Sequence, residues 1–90
     1  MIELTSFGEI KKLEPFTKIL FVDKEKCKLE VIAFLYADRF NDAVGTKFYA
    51  CDPNKYGCPK EYRFKWLENN VYLDWSYDDY KKIEKSLKEK

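Results

Sequence analysis

The segment from Cys27 to Ala37 constrains the fold most, because it is apolar on both sides of an extended chain. Alternation divides its apolar side chains between two faces: Leu29, Val31, Ala33 and Leu35 on one, and Ile32, Phe34 and Tyr36 on the other. A strand of this kind lies in the centre of a sheet whose two faces are both covered. The rest of the chain must therefore supply two covering layers.

Two helices are predicted, one near each end of the chain. Ser6 followed by Glu9 is a capping box and predicts a short first helix over residues 7–14. Ser76 is predicted to cap a longer second helix over residues 77–88. The apolar stripe of the second helix consists of Tyr77, Tyr80, Ile83 and Leu87. Two helices of this length cover about one face of a sheet.

Five strands are predicted between the helices, at residues 17–22, 27–37, 46–51, 61–66 and 71–75. Their short connections favour antiparallel pairing of each strand with the next one in the chain. We therefore expect a single α+β domain over residues 1–90, built from a five-stranded antiparallel meander sheet. Both helices would pack on one face of this sheet. The alternative is a small curled β-barrel with terminal helices.

With both helices on one face, aromatic side chains are left on the other. Pairing across residues 38–45 would bring Phe34 close to Tyr49, so that Ile32, Phe34, Tyr36 and Tyr49 form one exposed set. Contiguous exposed apolar surface usually marks an interaction site, and tyrosine is enriched at binding hot spots. The alternative is that the sheet curls and buries these residues.

Residues 68–79 carry four acidic groups and no basic one. Asp78 and Asp79 are expected to lie in the first turn of the second helix, where carboxylates offset the helix dipole and cap free amides. Together with Asp74, and with Tyr72 on the preceding strand, they are also candidates for docking a basic partner. A carboxylate-metal hydrolase site is a third interpretation.

Residues 47–65 form the most basic region, with a net charge of +3 from five cations and two acids. The cations are Lys47, Lys55, Lys60, Arg63 and Lys65. Aromatic side chains beside such cations can stack on bases while the cations contact phosphates. In residues 61–66, however, strict alternation places the aromatic and charged side chains on opposite faces. Nucleic-acid binding therefore remains the alternative function.

The chain contains no histidine, and its three glycines are too dispersed for a phosphate-binding loop. Without histidine it lacks the usual general base and the commonest zinc ligand. We therefore expect a protein that is not an enzyme, with no catalytic residues, no metal and no cofactor.

Cys51 and Cys58 bracket a six-residue turn and could form a disulfide across it. Their spacing lacks the two-residue knuckle of zinc ribbons. The alternative is that the cysteines are reduced thiols, as is usual inside cells. A cytoplasmic location is expected, because residues 31–37 are the longest uncharged run and a membrane helix needs about 20 residues.

These observations predict a small protein-binding module, either an adaptor, an inhibitor-like protein or a homodimer. Its partner would be a protein or a second copy of the chain, docked on the aromatic sheet face, with the acidic segment (residues 68–79) as a second docking surface. The basic region supports a nucleic-acid-binding module as the alternative, and the carboxylates support a metal-dependent hydrolase less strongly.

Overall fold

A computed structural model describes residues 1–38, 46–65 and 68–89. Within these ranges the chain forms six strands and two helices. The strands are β1 (Ile2–Leu4), β2 (Thr17–Asp23), β3 (Lys28–Ala37), β4 (Thr46–Asp52), β5 (Lys55–Phe64) and β6 (Asn69–Leu73). The helices are α1 (Phe7–Lys11) and α2 (Tyr77–Lys88).

All strand pairs are antiparallel, and the order across the sheet is β1-β6-β2-β3-β4-β5. The α+β prediction is confirmed, but the five-stranded meander is wrong in two respects. The three-residue strand β1 adds a sixth strand, pairing Ile2 with Leu73. β6 pairs with β2, through Leu20 and Tyr72, rather than with its sequence neighbour β5. The sheet is not closed, and β1 and β5 are its two edges.

Both helices begin at capping boxes; the sequence predicts the box at α1, whereas for α2 it predicts only the Ser76 cap. Glu9 N–H donates to Ser6 Oγ at 3.3 Å, and Glu9 Oε2 accepts from the Ser6 amide at 3.2 Å. Ser76 and Asp79 exchange the equivalent bonds at the start of α2, at 3.2 and 3.0 Å. α1 ends at Lys11, which is earlier than predicted, whereas α2 has the predicted bounds. Neither helix of the described chain is long and apolar enough to span a membrane.

The sheet is strongly curved, and aromatic contacts show by how much. Phe21 on β2 and Tyr62 on β5 lie three strands apart, a separation of about 14 Å in a flat sheet. Their ring centroids are only 5.4 Å apart. Phe48 on the intervening strand β4 stacks on Tyr62 at 5.4 Å and meets Phe21 at 5.8 Å. The sheet therefore remains open but has a strongly concave inner face.

The inner face holds the main core, which draws on all six strands and on α1. Its buried residues are Leu4, Ile10, Ile19, Phe21, Ile32, Phe34, Phe48, Ala50, Phe64 and Val71. α1 covers one end of this face, where Phe7 meets the edge of the Phe64 ring at 5.8 Å. Curvature and one short helix together seal the inner face.

α2 packs on the opposite, convex outer face. There Leu87 meets Leu20 and Val22 of β2, with partly buried residues around them: Leu29, Val31, Tyr72, Trp75, Tyr80 and Ile83. The two helices thus lie on opposite faces of the sheet, and the prediction that both cover one face is wrong. Because the sheet curls, the inner face needs less helical cover than a flat sheet would.

Candidate interaction surface

A β-bulge in β3 places Tyr36 on the outer face of the sheet. Phe34 pairs with Ala50 of β4, but the next pair is Tyr36 with Tyr49, so the register shifts by one residue at Leu35. Without the shift, alternation would place Tyr36 on the inner face beside Phe34. With it, Tyr36 lies on the outer face.

Tyr36 and Tyr49 form what we call the tyrosine patch. Their rings stack with centroids 4.7 Å apart and planes inclined by 28°. Tyr36 is 54% exposed, and Tyr49 is half-buried. The outer core under α2 contains residues of β2, β3, β6 and the segment after β6, but none of β4 or β5 among the described residues. The patch therefore lies on the part of the outer face that α2 does not cover.

Charged side chains of both signs flank the patch. Lys47 lies opposite Arg63, and Tyr49 lies opposite Glu61, so all four share the outer face. Lys47 Nζ binds Glu61 Oε1 at 2.9 Å. This hydrogen bond raises the pKa of Lys47 and lowers the pKa of Glu61, because each charge favours the other. The patch thus has an apolar centre and a charged border.

The exposed aromatic set predicted from the sequence is only half correct. Tyr36 and Tyr49 do lie together at the surface, but Ile32 and Phe34 are 3% and 1% exposed. The prediction that these two residues lie on an exposed face is wrong, because the sheet curls around them. Phe34 also lies opposite Ala50 rather than Tyr49.

The structure brings together only two of the five predicted cations. Lys47 and Arg63 face each other on the outer face. Lys60 lies opposite Ala50, whose side chain is on the inner face, and Lys55 lies at the start of β5. Lys65 pairs with a neighbouring glutamate at 3.4 Å. The basic region is therefore spread over both faces of the sheet rather than forming one patch.

The aspartates of the acidic segment, residues 68–79, have different environments: Asp79 caps α2, whereas Asp74 and Asp78 are exposed. Asp79 accepts the Ser76 amide, and this bond is the main cause that lowers the pKa of Asp79. Asp78 lies exposed in the same turn, and Asp74 is exposed with a φ of 50° in the turn before α2. Tyr72 is half-buried in the outer core, and burial raises its pKa. Among the described residues, no three His, Cys, Asp or Glu side chains are grouped to hold a metal ion.

The cysteines are free thiols, so the candidate disulfide between Cys51 and Cys58 is not formed in this structure. Cys51 is 4% exposed and lies opposite Ala33 on the outer face. Cys58 is exposed on β5. Burial of one partner and exposure of the other keep the two thiols in different environments.

A cleft of about 340 Å³ opens at one end of the concave inner face. Phe21 and Tyr62 lie among its lining residues, with charged side chains of both signs around them. Tyr62 Oη donates to Glu30 Oε2 at 2.8 Å. Burial and this bond raise the pKa of Tyr62 well above its ordinary value, so the phenol stays a neutral donor. The mixed charges of the cleft favour no single ligand charge.

Comparison of the chain with protein-family models, curated proteins and solved structures gives no match.

Proposed function

We propose that this chain is a small, non-catalytic protein-binding module that docks a protein partner through the tyrosine patch. The observation that carries the proposal is the exposed stack of Tyr36 on Tyr49, which lies outside the area covered by α2. Tyrosine supplies a large, rigid contact area and is enriched at the centres of protein interfaces.

The shape and border of the patch favour a protein over a small molecule. Small ligands bind in concave, mostly apolar pockets, whereas the tyrosine patch lies on the convex face of the sheet. Lys47, Glu61 and Arg63 surround the two rings with charges of both signs. An aromatic centre with a polar border is the usual composition of a protein interface.

The exposed carboxylates of the acidic segment, residues 68–79, favour a second contact with a basic area of the partner. Asp74 and Asp78 are both exposed, and they are the aspartates of this segment outside the capping box. A partner that bridges the tyrosine patch and these carboxylates would bury aromatic surface at one contact and pair charges at the other.

Site-specific photocrosslinking tests the proposal at Tyr36. A benzophenone amino acid replaces Tyr36 in one variant and Glu25 in a control, because Glu25 is exposed in the turn between β2 and β3, away from both proposed contacts. In source-cell extract we expect a protein adduct from position 36 that position 25 does not form. The captured protein, once purified, should bind Tyr36→Ala about tenfold more weakly than Glu25→Ala.

Two outcomes would contradict a protein-docking role. One is equal crosslinking from positions 36 and 25, and the other is equal affinity of the purified partner for the two alanine variants. Circular dichroism and the urea midpoint of both variants serve as folding controls. Truncation of an exposed side chain is expected to change stability only slightly.

Nucleic-acid binding is the second candidate, and one observation favours it. Alternation separates aromatic and charged residues within β5, but Lys47 and Arg63 share the outer face with the tyrosine patch across β3, β4 and β5. A single strand could therefore stack on tyrosine and contact cations from one side. Salt titration of a labelled mixed-sequence RNA tests this, because phosphate contacts weaken steeply with salt. Absence of binding at low salt would reject it.

A further inference from the structure

β5 is a long edge strand beside the tyrosine patch. It is the last strand of the sheet, and β4 is the only strand that pairs with it in the described chain. Residues 57–61 are all exposed, whereas Tyr62 and Arg63 are half-buried and Phe64 is buried. Pro59 lies among them, which is typical of an edge strand because proline has no N–H to donate. An edge of this kind offers backbone donors and acceptors to another strand.

The regular part of this edge is centred on Tyr62. Pairing with β4 runs without interruption from Lys60 to Phe64, five consecutive residues, and the register shifts beyond Ala50. Tyr62 is the middle residue of this segment. The opposite edge of the sheet, β1, has three residues. β5 is therefore the edge with more residues available for pairing.

The charged side chains of residues 60–64 are complementary to those of a second, antiparallel copy of the same segment. Glu61 and Arg63 flank Tyr62, and both lie on the outer face because Tyr62 and Phe64 point into the inner core. In a symmetric antiparallel pair centred on Tyr62, Glu61 of each copy faces Arg63 of the other. Opposite charges directly across a strand pair are stabilising, and like charges are destabilising. Pairs centred on Glu61 or Arg63 would place like charges face to face.

We propose that two copies of this chain pair antiparallel through β5 about a two-fold axis at Tyr62. The contact is isologous, because each copy contributes the same strand. It brings Arg63 of each copy to the Glu61 carboxylate of the other, beside the Lys47 that Glu61 already binds within its own chain, and it joins the two sheets into one. A five-residue strand pair is a small interface, so the dimer dissociates readily on dilution.

Sedimentation velocity over a concentration series tests the dimer, with charge reversals as the decisive variants. Glu61→Arg and Arg63→Glu each place like charges opposite each other twice per dimer, and each should weaken dimerisation about tenfold or more. An equimolar mixture of the two variants should recover a dimer, because every facing pair is then of opposite sign. The double swap Glu61→Arg/Arg63→Glu should dimerise like the wild type.

Lys18→Glu, on β2, changes the net charge as much as Arg63→Glu and should leave the dimer intact. The double swap also keeps a carboxylate beside Lys47, so it remains informative if one single variant folds poorly. A wild type that stays monomeric at every concentration would overturn the proposal. So would a mixture that fails to recover the dimer, or a dimer lost through Tyr36→Ala but not through the charge reversals.

Discussion

The apolar residues on the two faces of the sheet are buried in different ways. Among the described residues, the inner face gathers ten buried apolar residues from six strands and α1, whereas the outer core has three, Leu20, Val22 and Leu87. Curvature seals the inner face with the strands' own side chains. The outer face depends on one helix, which leaves the tyrosine patch exposed. Exposed aromatic surface therefore remains where the cover is a single element.

The bulge at Leu35 changes the face of the sheet on which the next side chain of β3 lies. It ends the inner-face alternation at Phe34 and turns Tyr36 outward, where it meets Tyr49. Ala37 then returns to the inner face opposite Phe48 and packs against the inner core. One extra residue thus transfers an aromatic ring from the sealed face to the exposed one.

The largest expected effect comes from removing a ring at the centre of the inner face. Phe48 is fully buried and contacts the rings of Phe21, Phe34 and Tyr62. Phe48→Ala should lower the free energy of unfolding by about 4 kcal/mol, because the cavity cannot collapse among rigid rings. Urea denaturation measures the loss. A loss near that of Tyr36→Ala would show that the inner face is not sealed.

Local features of this fold were predictable from the sequence. The pairs Ser6–Glu9 and Ser76–Asp79 are spaced so that each side chain reaches the other's amide, and both capping boxes form. The β2–β3 hairpin follows from two apolar runs joined by a charged turn, and Ile19 pairs with Ile32. These features depend on residues close together in the chain.

Non-local features were not predictable from periodicity. β6 pairs with β2 rather than with β5, a choice between equally apolar neighbours that alternation cannot distinguish. Curvature brings Phe21 to Tyr62, and it buried the residues expected at the surface. The bulge at Leu35 was missed because an apolar residue on either face fits a strand that is apolar on both sides. Tyr36 was correctly expected at the surface, but on the wrong face.

Leu87→Ala tests how far α2, the helix that covers the outer face, stabilises the fold. Its expected loss of stability is smaller than that of Phe48→Ala. Leu87 is 8% exposed near the end of α2, where it packs on Leu20 and Val22. We expect a loss of about 2 kcal/mol, at the low end for a leucine truncation, because α2 can adjust toward the sheet. Hydrogen exchange should increase in α2 and much less in β3 and β4. Uniform acceleration in all elements would contradict a separable outer cover.

The smallest expected effect concerns the pH dependence of the α2 cap. The Ser76 amide donates to Asp79 and lowers the pKa of Asp79 in the folded chain. Its stabilising contribution is therefore complete above the ordinary aspartate pKa of about 3.9 and is lost as the pH falls through the lower folded value. In urea titrations at several pH values, the stability difference between the wild type and Asp79→Asn should be constant from pH 7 to about 4 and should shrink only below about pH 3.9.

Asp78→Asn is the matched control, because it removes a carboxylate from the same turn and leaves the capping box intact. It should cost less stability than Asp79→Asn at pH 7. A difference for Asp79→Asn that stays constant down to strongly acidic pH would contradict an ionised cap. The buried residues of the inner core are all apolar, so its packing does not require an ionised group. Acid should therefore loosen α2 before it opens the inner face, which makes the outer cover the pH-sensitive side of the sheet.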